Sequence, residues 1–180
     1  MKLVEAIKYK KQVKEIYMSS FPKSERMPLC VLFHQSKKES DTFYAALEND
    51  EIIGFAYTIK YKKIVYIYYF AVAKDYRGKG YGKQILRLIK EENPDCVITL
   101  SIEDTADTTA ENHEERLKRL KFYETNGYKP LNIKVREGSG VLFELLGTET
   151  TVTKEDFLEI RHAYLGPILL NLFYKSTKFE

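Results

Sequence analysis

Three glycines and four cations stand together in Lys74-Asp75-Tyr76-Arg77-Gly78-Lys79-Gly80-Tyr81-Gly82-Lys83. Glycines at every second position leave the backbone N–H groups of a turn without side-chain cover. A helix opening at such a turn adds its orphan N–H groups and the positive end of its dipole. Residues of these types at this spacing suit an anion, phosphate above all. A plain tight turn would use the same glycines only for positive φ. Two phosphate loops are excluded by spacing. The dinucleotide fingerprint Gly-x-Gly-x-x-Gly fails because Lys83 stands where a third glycine is needed after Gly78 and Gly80. The P-loop fails because Gly82-Lys83 is followed by Gln84 rather than Ser or Thr.

The elements that must position this loop are legible on either side of it. Ile64 to Val72 is apolar on both alternating faces, as a central strand covered on both sides should be. Lys83 to Glu92 carries Ile85, Leu86 and Ile89 at helical spacing, and Pro94 breaks the pattern. Asp95 to Ile102 reads as a further strand. Strand, helix and strand of these lengths form a crossover unit, so the two strands are expected to be parallel neighbours. Ligands in open α/β sheets bind beyond the carboxyl ends of such strands. Those ends carry Val72 with the glycine loop, and Ile102 with Glu103 and Asp104.

Around this unit, Lys2 to Ile7 suggests a first strand, and Val13, Ile16, Tyr17 and Ser20 mark a helix face that ends at Pro22. A polar elbow, Phe21 to Pro28, holds an aromatic, Phe21, and an acid, Glu25. It leads into a helix with Leu29, Leu32 and Phe33. Thr42 to Glu48 and Glu51 to Lys60 form a hairpin over Asn49-Asp50. Of the five tyrosines between Tyr57 and Tyr69, most are assigned to packing and some to a polar pocket. Asn112 is placed to cap a helix with Glu115 in a box-like arrangement, and that helix ends at Asn126-Gly127. Tyr128 to Val135 and Val141 to Leu146 read as strands, and Thr153 caps a last helix through Tyr164. No repeat or linker interrupts the chain, which reads as one α/β domain over residues 1–180, with 148–180 a C-terminal helical extension.

Composition bounds the partners. Net charge is +3 over 180 residues, too small to argue for nucleic acid or a membrane surface. Cys30 and Cys96 follow no paired pattern, so a reducing cytosol is the default compartment. His34, His113 and His162 lack metal-ligand spacing, and no metal is expected. Leu165 to Phe173 is apolar but far short of the ~20 residues that span a bilayer. It is expected to dock on the domain or on a partner chain, which would make a homodimer.

Arg77-x-x-Gly80-x-Gly82 after a strand ending in Phe70-x-Val72 resembles the acetyl-CoA pyrophosphate loop of the GNAT acetyltransferase superfamily. Phe122-Tyr123-x-x-x-Gly127-Tyr128 resembles that family's second motif, at the expected distance downstream. Asn112-(x)3-Arg116-(x)2-Arg119-(x)2-Phe122-Tyr123 is similar to a bacterial subgroup. The resemblance runs from about Phe43 to Val135. It implies a mixed, mostly antiparallel sheet with a central, splayed parallel pair and helices on both faces. It also implies acetyl-CoA as co-substrate, held by Phe70, Ala71, Val72, Arg77, Gly78, Lys79, Gly80, Tyr81, Gly82 and Lys83. Phe21, Glu25 and Tyr68 become acceptor-side candidates.

If acetyl-CoA binds, a primary amine of a small molecule or peptide attacks the thioester directly in a ternary complex, and the enzyme supplies mostly positioning. Backbone N–H groups near Val72 are candidates for the oxyanion. Tyr123 matches the family's general acid. The central strand carries no acid, which turns attention to Glu103 as the base or as a carboxylate that holds a cationic acceptor. The competing expectation is a non-catalytic acyl-CoA-binding regulatory module.

Overall fold

Asn49 and Asp50 both adopt left-handed φ, 49° and 62°, and close the hairpin between Asp41–Glu48 and Glu51–Tyr61. The computed structural model describes the backbone of residues 1–136, 140–173 and 178–179, and the side chains of 1–136, 140–164 and 179. The residues gather into two compact units: Met1–Lys60 with Ile67–Cys96, and Tyr61–Tyr66 with Val97–Glu180. The architecture is the mixed α/β sheet expected from the sequence.

In the first unit the strand order is β1-β2-β3-β4, formed by Lys2–Glu5, Asp41–Glu48, Glu51–Tyr61 and the Ile67–Val72 part of β4, Ile64–Val72. β1 lies antiparallel to β2 with Lys2 opposite Leu47, and β2 antiparallel to β3 with Phe43 opposite Tyr57. Helices α1, Lys10–Ser20, α2, Leu29–Gln35, and α3, Tyr81–Glu92, complete the unit. The apolar side of α1 delivers Tyr17 to an aromatic cluster with Phe21, Phe55 and Tyr69, with ring centres 5.0–6.3 Å apart. α3 buries Ile85 and Ile89 completely, each contributing about 1.5–3 kcal/mol.

In the second unit, residues 64–66 of β4 lie beside β5, Val97–Glu103. The Val97 N–H donates to the Lys63 carbonyl at 2.9 Å, and the hydroxyls of Tyr66 and Ser101 meet at 2.7 Å. Residue numbers rise together along both strands, so this pair is parallel, as the crossover predicts. Next come β7, Leu142–Gly147, β6, Lys129–Arg136, and β8, Lys178–Phe179, each antiparallel to its neighbour. Helix α4, His113–Thr125, ends at Gly127 with φ 87°, in the left-handed conformation glycine was expected to supply. Helix α5, Lys154–Phe173, opens on a reciprocal cap: the Asp156 N–H donates to Thr153 Oγ1, while the Thr153 N–H and hydroxyl donate to Asp156.

Phe157 packs edge-on against Tyr66, and Phe179 pairs with Val135. One expectation changes. The last helix continues beyond Tyr164 to Phe173; the docking assigned to Leu165–Phe173 concerns side chains outside the described residues. No helix among the described residues is long and apolar enough to cross a membrane.

Candidate active site

In the first unit β4 delivers the chain to the glycine loop. Ala71 is buried at its end, and the Ala73 N–H donates to the Ile53 carbonyl of β3 at 2.9 Å. Lys74–Tyr76 makes one tight helical turn, and Arg77 is extended, with φ −66° and ψ 152°. Gly78 and Gly80 take φ of 74° and 81°. A Cβ at either would meet nothing within 4 Å, so the need for glycine is conformational. Gly80 is the residue before α3, and no side chain caps that helix. Its first turn, Tyr81 to Lys83, contains no acid, leaving the helix N-terminus to an outside anion.

The loop is braced by its own side chains. Arg77 folds back so that Nε donates to the Val72 carbonyl at 2.9 Å and Nη2 to Ser20 Oγ of α1 at 3.1 Å. The Tyr76 hydroxyl donates to Glu51 of the hairpin. The Tyr76 ring lies 5.8 Å from that of Tyr81 and under the Lys79 ammonium. Lys74, Arg77, Lys79 and Lys83 are exposed. A pyrophosphate fits this setting: open backbone N–H groups, an uncapped helix end and four cations. One feature escaped the sequence reading. A Cβ on Gly54 of β3 would stand 2.6 Å from the Ala71 carbonyl oxygen and 3.3 Å from Val72 Cα. The strand end that leads into the loop therefore lies directly against Gly54. An isolated glycine inside a strand was the signal.

The elbow is held through its main chain. The Tyr69 hydroxyl donates to the Glu25 carbonyl at 2.7 Å and accepts from the Met27 N–H at 3.0 Å, while the Tyr17 hydroxyl donates to the Met27 carbonyl at 3.0 Å. Phe21 packs 5.0 Å from the Tyr69 ring. The Tyr68 ring lies against those of Tyr57 and Tyr69. Tyr57 is fully buried and donates to Asp41 at 2.7 Å, in keeping with packing as the role of most of these tyrosines.

In the second unit Glu103 stands in a setting unlike the one expected. Its side chain is 9% exposed. Oε1 accepts from Asn112 Nδ2 at 2.8 Å and meets Arg116 Nη2 at 3.3 Å, while Oε2 accepts from Arg119 Nη1. Burial pushes the carboxyl pKa up, but the Asn112 hydrogen bond and the Arg119 and Arg116 guanidinium groups outweigh it and hold the carboxyl below its ordinary value. A carboxylate so engaged is a poor proton acceptor and has no charge to spare for a cationic acceptor. Asn112 also departs from expectation. It begins α4 without capping it through its side chain. It donates to Glu103 and accepts from Arg116 Nε at 2.8 Å.

Tyr123 is 7% exposed, with its ring against Phe122 and Tyr128. Among the described residues its hydroxyl makes no hydrogen bond. Burial drives its pKa above the ordinary tyrosine value, with the Arg119 charge pulling the other way. It is therefore fully protonated at neutral pH, the form that can donate. Arg116 and Arg119 entered the sequence reading only as parts of a motif. Their partner, Glu103, lies 13 and 16 residues back along the chain.

Comparison with known proteins agrees with this architecture. The Bacillus subtilis protein YjbC, named as a candidate acetyltransferase, is 28% identical over 93 residues. That match covers 52% of this chain and 44% of YjbC, under half its length. A GNAT-family protein from Bacteroides thetaiotaomicron matches in structure with TM-score 0.73 and 20% identity, over 94% of this chain and 98% of that one. An aminoglycoside 6'-N-acetyltransferase solved with coenzyme A matches with TM-score 0.64 and 16% identity, over 86% and 99%. Both show a shared fold. The family model described as Acetyltransferase (GNAT) domain matches residues 39–130, more than half of the chain, from before the β2–β3 hairpin to past the Phe122-Tyr123 motif. The chain belongs to the GNAT acetyltransferase family.

Proposed function

We propose that this chain transfers the acetyl group of acetyl-CoA to a primary amine of a small molecule or peptide. The observation that carries the reading is the loop from Val72 to Lys83, with two left-handed glycines opening onto an uncapped, acid-free helix start. Membership of the family and the fold shared with a protein solved with coenzyme A support it.

The proposed step is direct. The amine nitrogen attacks the thioester carbon, the C–N bond forms, and the electron pair of the breaking C–S bond leaves on sulfur. Backbone N–H groups near Val72 are proposed for the oxyanion. Tyr123 is proposed to give its O–H proton to the departing thiolate. The amine's surplus proton passes to water, which returns one proton to Tyr123. Glu103, already engaged by two arginines, is left out of the proton path. Phe21, Glu25 and Tyr68 are proposed for the acceptor side.

Thiol release from acetyl-CoA, measured with an aminoglycoside, a polyamine, an amino acid and a peptide ending in a free alanine amine, tests the reading. Tyr123→Phe is expected to lower turnover about 10²-fold with acetyl-CoA affinity unchanged. Unchanged turnover removes the general-acid assignment. Tight acetyl-CoA binding without thiol release for any acceptor would establish the non-catalytic acyl-CoA-binding module instead.

A further inference from the structure

Asn112, Arg116, Arg119 and Tyr123 follow one another at spacings of four, three and four residues. On a helix of 3.6 residues per turn these positions fall within about 60° of one another. They form a single stripe along α4. The first three members of that stripe converge on one carboxylate, Glu103 at the end of β5. The fourth is Tyr123, one turn beyond Arg119. Arg116 adds a bond from Nη1 to the Asp104 carbonyl at 3.0 Å, and Lys134 of β6 holds the Asp104 carboxylate at 2.9 Å. The Arg116 and Glu103 side chains are 11% and 9% exposed. α4 is thus fastened to the end of β5 through the stripe that ends in Tyr123.

We infer that Glu103 is a positioning residue which, through Arg119 and Arg116, sets the rotation and height of α4 and so the place of the Tyr123 hydroxyl; this rests on the acetyl-transfer reading above. Three features favour it over a base. Both carboxylate oxygens are occupied. The partners lie on the helix that carries the proposed acid. The Tyr123 hydroxyl has no hydrogen bond of its own among the described residues, so its position depends on how its helix is seated.

The test is a double-mutant cycle between Glu103→Gln and Tyr123→Phe, read by thiol release from acetyl-CoA with hydroxylamine as acceptor. Hydroxylamine is unprotonated at neutral pH, so a lost base would go unnoticed while a displaced acid would not. Glu103→Gln is expected to lower kcat about tenfold in the unaltered background, with KM for acetyl-CoA within about twofold. In the Tyr123→Phe background the same change should cost less than about twofold, because the group it positions is gone. Arg119→Lys, which keeps the charge, should recover part of the rate lost in Arg119→Gln. A Glu103→Gln effect of equal size in both backgrounds, or none with hydroxylamine, overturns the inference. Tyr123→Phe as fast as the unaltered protein overturns the general-acid reading on which it rests. No thiol release above the uncatalysed rate, either with hydroxylamine or with any amine of the panel above, overturns acetyl transfer itself.

Discussion

Gly54→Ala is the substitution whose consequence follows most directly from the geometry. The new Cβ would sit 2.6 Å from the Ala71 carbonyl oxygen, 3.1 Å from Ile85 Cδ1 and 3.3 Å from Val72 Cα, where ordinary contact begins at 3.4 Å. The Ile85 methyl can rotate away. The carbonyl and the Cα cannot, because they belong to β4. The strand end must therefore move by about 0.8 Å at Ala71, a displacement of the overpacking kind that costs about 1–3 kcal/mol. At roughly 2–4 °C per kcal/mol for a chain of this size, Tm should fall by about 2–12 °C. Because Ala71 and Val72 lead into the glycine loop, acetyl-CoA affinity should fall in the same variant. Thermal unfolding followed with and without acetyl-CoA reads both effects. Adding Ile85→Val should rescue neither, since it removes the contact that could yield anyway. A Tm within 1 °C of the unaltered protein together with unchanged affinity would refute the steric reasoning, and rescue by Ile85→Val would show that the wrong atom had been blamed.

Arg77→Ala removes a cation beside the uncapped helix and two bonds that brace the loop, so acetyl-CoA affinity by calorimetry should drop about tenfold or more; equal affinity would sink the phosphate-loop reading. Glu103 gives a pH signature of definite sign. Its folded pKa lies below the ordinary carboxylate value, so its stabilisation is present above about pH 4.3 and is lost as pH falls through the folded value. The stability deficit of Glu103→Gln, measured as a urea midpoint, should be full at pH 7 and shrink below about pH 4. A deficit constant down to pH 3 would exclude the charge as its origin.

The parts of this protein legible in its sequence are those fixed by local rules. An apolar alternation gives β4. Asn49, Asp50 and Gly127 adopt the left-handed conformations their residue types favour, and Thr153 caps the last helix as its type suggests, with Asp156 completing the cap from the other side. The glycine loop belongs to this class, because two of its three glycines take φ that other residues avoid. What could not be read depends on where a distant partner arrives. Asn112 has the composition of a cap, but Glu103 competes for its side chain. Glu103 looks like a free acid at a strand end until two arginines from a later helix neutralise it. Tyr69 is one of a run of tyrosines, and only the fold shows that its hydroxyl spans the elbow.

That spanning hydroxyl bears on how the elbow can change over evolutionary time. One oxygen satisfies the main chain on both sides of Arg26, and a second, from Tyr17, secures Met27 again. None of these bonds involves a side chain of Lys23, Ser24, Glu25 or Arg26. Substitution at those four positions leaves the trace of the elbow anchored while altering the charges and shapes it displays. Two tyrosines thus hold the main chain of the elbow whatever side chains those four positions carry.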